Sequence, residues 1–262
     1  MIKLFDTHAH LNDEAFDADR EAVIECLGEY GVARVIDVAC DVRNVDKTLA
    51  LLEKYPFIYG TAGMHPHDAS AMDNFLMDRL KQVLSHKKML ALGEIGLDYH
   101  YDFSPRETQR KWFVEQLELA RELDMPVTLH IREAFGDCMD ILKAHKNGLR
   151  GVMHCYSGSV ETAYECLDLG LAFSFGGAVT FKNAKKPIEA IEKLPLESIL
   201  LETDCPYMTP VPYRGKRNDP SFIGLVAEKI AEIKGLTVDE LAEVTFENAN
   251  MVFEVKGESI DA

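Results

Sequence analysis

Short apolar, β-branched runs recur eight times along this chain, and a stretch with helical spacing follows each of them. The runs occupy residues 2–5, 32–39, 57–62, 89–94, 126–130, 151–154, 171–175 and 198–202. Helical spacing covers 20–30, 43–55, 74–86, 105–123, 133–145, 160–169, 187–194, 222–234 and 238–246. Several of these stretches meet a stop signal at or near their end: Gly31, Pro56, Gly148 and Gly170. A strand that leads through a helix into the next strand builds a parallel sheet, because a parallel neighbour needs a crossover. Eight such units in a chain of 262 residues predict an α/β fold. The expected form is a (β/α)8 TIM-type barrel, or a distorted version of one, made as a single domain over 1–262. The competing architecture is an open doubly wound sheet. The first run is not followed by G-x-G-x-x-G, which weighs against a dinucleotide-binding form of it.

Composition narrows the function classes. Charged residues make up 27 % of the chain and hydrophobic ones 47 %, an ordinary globular balance. No apolar run approaches the ~20 residues that span a bilayer, and no basic-then-apolar leader precedes the first strand. A cytoplasmic protein without a membrane partner is expected. The six cysteines, Cys26, Cys40, Cys138, Cys155, Cys166 and Cys205, form no C-x-x-C pair and read as reduced, mostly buried thiols. Cys155 and Cys205 each follow a candidate ligand, and strand alternation would turn them to the opposite face. The net charge of −16 argues against a broad electrostatic grip on duplex DNA. A local basic loop or bound metal can still hold one or two phosphates.

In a (β/α)8 barrel, chemistry gathers at the C-terminal strand ends. Here those ends carry His8 and His10 on strand one, His65 on strand three, Glu94 on strand four, His130 on strand five and His154 on strand six, with Asp204 just after strand eight. Alone, a strand-end His caps a carbonyl and an Asp caps the next helix. Together they are read as a metal site. The two-residue period of a strand points His8 and His10 the same way, offering two adjacent ligands. Four imidazoles (His8, His10, His130, His154) and two carboxylates (Glu94, Asp204) exceed one ion's needs. Glu94 is therefore expected to bridge two ions ~3.5–4 Å apart. His8, His10 and Asp204 would complete one ion, and His130 and His154 the other. Mixed imidazole and carboxylate ligation suits Zn, Mn or Ni, with Mg less favoured. Such a site implies hydrolysis, with Asp204 as the general base for the attacking water.

The strand ends lie within longer motifs. These are Asp6-Thr7-His8-Ala9-His10-Leu11, Gly63-Met64-His65-Pro66-His67, Gly93-Glu94-Ile95-Gly96-Leu97-Asp98-Tyr99 and Pro126-Val127-Thr128-Leu129-His130-Ile131-Arg132. His154-Cys155-Tyr156-Ser157-Gly158, Leu201-Glu202-Thr203-Asp204-Cys205-Pro206 and Arg214-Gly215-Lys216-Arg217-Asn218-Asp219-Pro220 follow in order. Through them the chain resembles the TatD family of metal-dependent deoxyribonucleases, among the amidohydrolase-like metal barrels. The resemblance runs from end to end. It implies a distorted (β/α)8 barrel, two divalent metal ions, and hydrolysis of DNA phosphodiesters, often from a 3′ end. It supports His8, His10, Glu94, His130, His154 and Asp204 as ligands. Glu133 stands where relatives often have Asp, and Tyr156 where Phe is common; both keep the chemistry of the position.

Other residues are expected near the substrate. His65 is read as a phosphate contact or a support for the ligands. Arg132, two past His130, would share its face and hold a phosphate oxygen or a ligand carboxylate. Arg214 and Lys216, in the basic run Tyr213-Arg214-Gly215-Lys216-Arg217, are read as phosphate-binding, against the alternative of a solvated loop. Glu202 would orient a ligand histidine. Tyr99 and Tyr101 either stack on bases or pack on the surface. The favoured substrate is DNA, as single strands or 3′ ends, and no obligate protein partner is implied. Two readings compete. One is an amidohydrolase acting on a cyclic amide or ester; a carboxylated lysine would serve as its bridge, but strand four ends in Glu94, with Lys87 and Lys88 before it. The other is a metal- or DNA-binding protein without catalysis.

Overall fold

The first strand, β1 (Leu4–Ala9), is buried along its whole length despite carrying Asp6, Thr7 and His8. A strand covered on both faces has no solvent side, so its polar groups must be paired or functional. The computed structural model describes residues 2–255. Seven further strands follow: β2 (Val32–Ala39), β3 (Ile58–Ala62), β4 (Met89–Asp98), β5 (Val127–Arg132), β6 (Gly151–Met153), β7 (Leu171–Phe175) and β8 (Ile199–Leu201). All neighbours pair in parallel, in the order β1 to β8. The barrel nearly closes where β1 meets the segment after β8, through a parallel bridge between Ala9 and Cys205. His10 N–H donates to Cys205 O (2.8 Å), and Asp204 N–H to His8 O (2.9 Å).

The helices are α1 (Arg20–Cys26), α2 (Asp46–Lys54), α3 (Asn74–Leu84), α4 (Arg106–Glu122), α5 (Phe135–Ala144), α6 (Val160–Asp168), α7 (Lys185–Lys193), α8 (Ile223–Lys234) and α9 (Val238–Val252). Thr237 and Glu240 form a reciprocal capping box at the start of α9. The barrel expected from the sequence is present, and the differences are local. Residues 27–30 tighten into a 3-10 turn after α1, closed by Gly31 in the left-handed conformation (φ 76°). Pro105 is the cap of α4 rather than its first residue. The last helix runs six residues past its expected end at 246.

Two apolar layers hold these elements. The larger joins the outer strand faces to the helices, with Trp112 of α4 inside it, as its spacing suggests. The smaller gathers Phe5, Ile36, Val38, Ala91, Val152, Ala172 and Leu200 from six strands with Ala249, Phe253 and Val255 of the chain's end. Ile36 and Val38 share this layer while Val35 lies in the other, as a period of two requires. The barrel interior is thus a filled core, where each large apolar side chain contributes ~1.5–3 kcal/mol by leaving water. Among the described residues no helix is long and apolar enough to cross a membrane.

Candidate metal centre

Two irregularities in the sheet aim the first ligands. Between Asp6 and Ala9, β1 advances three residues while β2 advances two. Between Leu92 and Ile95, β4 does the same against β5. Such a bulge re-aims a side chain without ending the strand. Glu94 was expected at the end of strand four; β4 continues to Asp98, and the bulge sets Glu94 at the mouth from mid-strand. Gly93 and Gly96 flank it with φ 151° and 141°, and a Cβ at either would collide with the carbonyl oxygen of Thr128 or His130. Only glycine lets β4 approach β5 this closely while adopting that backbone.

The Glu94 carboxylate is ringed by imidazoles, and its two oxygens face different ones. Oε2 lies 3.4 Å from His8 Nε2 and 3.8 Å from His10 Nε2. Oε1 lies 2.9 Å from His130 Nδ1, 3.4 Å from His65 Nε2 and 3.7 Å from His154 Nε2. Asp204 Oδ1 adds a second carboxylate 3.5 Å from His10 Nε2. All six expected ligands therefore converge, and His65 joins them. Metal-competent groups form from His8, His10 and Asp204, from His65, Glu94 and His130, and from His8, His154 and Glu202.

Hydrogen bonds decide which ring nitrogens are free. His10 Nδ1–H donates to Val38 O (3.1 Å), so Nε2 faces the carboxylates and is the nitrogen whose lone pair is free once the ring is neutral. His154 Nδ1–H donates to Glu202 (2.9 Å), whose other partner is the Ser174 hydroxyl. Glu202 thus fixes the ring of His154, a candidate ligand. His65 differs. Its Nδ1 accepts the His67 backbone N–H (3.1 Å), so the neutral ring carries its proton on Nε2 and points a donor at Glu94. Although it sits within reach of a metal, His65 is built to donate a hydrogen bond.

Sequence reasoning gave no role to Asp98, which the fold makes central. Its Oδ2 lies 3.0 Å from both His130 Nε2 and His67 Nε2. Its Oδ1 accepts the backbone N–H groups of His100 (3.0 Å) and Tyr101 (2.9 Å). The only signal was its place within the strand-four motif, four residues after Glu94. Asp6 was passed over as well. It accepts from Thr203 N–H (2.9 Å) and the Thr203 hydroxyl (2.6 Å), pinning β1 to the segment that carries Asp204. Burial raises its pKa to about 8.

Charge in the cluster is mutually supported. Burial opposes ionisation of Glu94, yet the surrounding His65, His130 and His8 hold its pKa well below the usual range. Burial likewise opposes the Asp204 anion, and His10 with His154 overcomes it. Burial also disfavours cationic His10 and His154, but Asp204 and Glu94 lift His10 to about 9, and Glu202 with Glu94 lifts His154 to about 10. His8, stacked 3.5 Å from the His154 ring, is pushed down by burial and by that neighbour's charge. Burial and His130 lower His65 to about 4. Both ring nitrogens of His8 are buried without a hydrogen-bond partner among the described residues. Unpaired buried nitrogens beside anionic carboxylates are what a divalent cation satisfies, so the donor set fits metal.

A profile of the family described as TatD related DNase matches residues 5–254. The chain belongs to this TatD family. It is 46 % identical over 253 residues to a metal-dependent hydrolase described as uncharacterized, YabD of Bacillus subtilis, covering 96 % of this chain and 99 % of that one. It is 33 % identical over 257 residues to a protein named 3'-5' ssDNA/RNA exonuclease TatD from Pectobacterium carotovorum, covering 95 % and 99 %. The crystal structure of YjjV, a TatD homologue from Escherichia coli, superimposes with a TM-score of 0.91 at 34 % identity, over 97 % of this chain and 98 % of the other. This TatD-family chain is accordingly a metal-dependent hydrolase by kinship.

The remaining expected contacts lie further out. Arg132 is exposed, with its guanidinium 4.8 Å from the Tyr101 ring centre. Arg214 lies over Phe181 (3.9 Å) and Lys216 near Tyr213 (5.4 Å), both on an exposed loop. Arg217 pairs with Asp19 through two bonds of 2.7 and 2.8 Å. Lys88 donates to the carbonyls of Leu52 and Tyr55, at the start of β4 and away from the Glu94 carboxylate. Cys205 is buried and Cys155 half-buried, but both lie past their strand ends, so alternation is not what places them. Tyr99 is tied down by Asp137 (2.6 Å) and covered by Arg106 (4.2 Å), whereas Tyr101 is exposed.

Proposed function

We propose that this chain acts as one barrel domain, a cytoplasmic 3′–5′ deoxyribonuclease using two divalent ions of Zn, Mn, Ni or Mg. One observation carries the two-ion reading. The two Glu94 oxygens face separate histidine sets, His8 and His10 on one side and His130 and His154 on the other. A carboxylate so placed would hold two cations, one with each histidine set, and Asp204 would join the first set. The nuclease reading draws its support from the relative named as an exonuclease. The cytoplasmic reading draws on six free thiols.

Cations held there acidify water and neutralise charge on a phosphate oxygen. The residues of the chain do the rest. His8, His10, Glu94, His130, His154 and Asp204 bind and space the ions. Glu202 and Asp98 hold His154 and His130 in orientation. Asp204, kept anionic, accepts the proton of the attacking water. His65, kept neutral with its one proton on Nε2 toward Glu94, would turn that hydrogen bond to a non-bridging phosphate oxygen once cations take up the Glu94 oxygens. The water oxygen bonds to phosphorus as the P–O3′ bond breaks; the 3′ oxygen of the shortened strand leaves and takes a proton from solvent, and the terminal residue is released as a nucleoside 5′-monophosphate.

The test uses metal-stripped protein and a 5′-labelled single strand, with Mg, Mn or Zn restored in turn. Stepwise shortening that needs metal and disappears in Asp204→Asn is the expected result. A metal-loaded protein that leaves every DNA substrate intact would overturn the nuclease reading in favour of a small ester or amide.

A further inference from the structure

Beside the cluster, on the loop after β4, two aromatic rings stand in solvent on a rigid support. Phe103 is 68 % exposed and Tyr101 48 %. They stack on each other with centroids 5.2 Å apart and planes 19° from parallel. Exposing two stacked rings forfeits apolar burial, and on a floppy loop it would need no explanation. This loop is not floppy. Gln109 of α4 clamps both ends, accepting from Asp98 N–H (2.9 Å) and donating to Asp98 O (3.1 Å) and Ser104 O (2.8 Å). The Ser104 hydroxyl donates to His67 O (2.8 Å). Asp98, which holds His130, also fixes the Tyr101 backbone. One buried carboxylate therefore registers the exposed rings against a ligand of the centre.

The rings are continuous with the site. His65, 3.4 Å from Glu94, meets His67 edge-on at 4.3 Å, and His67 meets Phe103 at 4.9 Å and Tyr101 at 5.4 Å. Arg132, two residues past His130, lies over Tyr101 and has no carboxylate partner among the described residues. The nearby acids are occupied: Glu133 pairs with His100, Asp102 with Arg106, and Asp98 with His67 and His130. An exposed aromatic face with a free cation, in a chain of net charge −16, matches a base joined to a phosphate.

We propose that Tyr101 and Phe103 form a stacking shelf for a nucleobase of the strand whose end is cleaved, with Arg132 holding that nucleotide's phosphate. The substrate class rests on the nuclease reading. The shelf selects for the presence of a base rather than its identity, because every base has a π-face.

Binding and cleavage are read separately. A fluorescein-labelled single strand with phosphorothioate 3′ linkages, and the same strand with abasic tetrahydrofuran units in place of its 3′-terminal bases, are titrated against the metal-loaded full chain by anisotropy. The base-bearing strand binds more tightly. Tyr101→Ala with Phe103→Ala weakens it about 5- to 100-fold, toward the abasic strand. Phe103→Trp preserves the discrimination. Phe75→Ala, removing a ring 73 % exposed on α3, changes neither strand. An unchanged melting temperature checks that the shelf variants fold. Equal wild-type affinity for the two strands, or undiminished discrimination in the double variant, overturns the shelf. The two readings fail differently. Base-dependent binding without cleavage of an ordinary strand keeps the shelf and removes the nuclease, while equal kcat/KM on base-bearing and abasic ends keeps the nuclease and removes the shelf.

Discussion

The barrel mouth and the basic loop at 213–217, which begins nine residues after Asp204, use charge in opposite ways. At the mouth, buried ionisable side chains answer one another, and the rings of His10, His130 and His154 are oriented by hydrogen bonds from strands or strand ends. In the loop, Arg214 and Lys216 are exposed and turn to aromatic rings, while half-buried Arg217 pairs with Asp19. Desolvation makes every misplacement at the mouth costly, so the geometry there is over-determined. Water screens the loop, and a cation there gains little from any single position. Nearness to Asp204 along the chain did not bring Arg214 and Lys216 into the cluster; a bulge and a carboxylate brought Glu94 and His130.

The largest effect expected from this contrast is at Asp204. Asp204→Asn lowers kcat by about 10²- to 10⁴-fold, the range of general base catalysis. Should Arg214→Ala prove as damaging, the contrast itself collapses.

Removing an orienting carboxylate comes next. Glu202→Gln and Asp98→Asn each reduce metal affinity or activity about 10- to 100-fold. Calorimetric titration of the stripped variants with Zn measures this, and wild-type affinity in both would show that the rings hold their aim unaided.

The raised histidines set a pH dependence for metal uptake. His10 and His154, with pKa values of about 9 and about 10, carry protons at pH 7 in the metal-free chain. A metal needs the neutral rings, so its binding expels those protons, and affinity climbs as pH rises toward those values. Proton release on adding Zn to weakly buffered protein checks the sign. No release at pH 7 would mean that the two rings are already neutral.

The smallest effects are expected in the loop. Arg214→Ala and Lys216→Ala raise KM for a DNA strand by about 2- to 5-fold each, an effect that added salt erases. Arg217→Ala costs about 1 kcal/mol or less in urea unfolding, because its paired Asp19 is partly exposed.

Much of the centre was legible because strand ends in such a barrel face one mouth. His8, His10, His65, His130, His154 and Asp204 could be placed there by counting strands alone. Asp98 could not, since its role depends on β4 running past Glu94 and turning a carboxylate back toward His130. The status of His65 was equally hidden, because it rests on a backbone N–H from His67 that captures one ring nitrogen. Tyr99 and Tyr101 were indistinguishable by residue type, and the structure separates them through Asp137.

The sequence by itself determined the alternation of strands and helices, the barrel it implies, and the residue types at its mouth. Those follow from periodicity and turn chemistry, which are local. Tertiary structure alone decided which oxygen of Glu94 faces which imidazole, which histidine keeps a free lone pair, and which aromatic side chains stand in solvent. These depend on sub-ångström register, burial and hydrogen bonds between segments as far apart as Asp6 and Thr203. Contacts of that kind exist only once the barrel has closed.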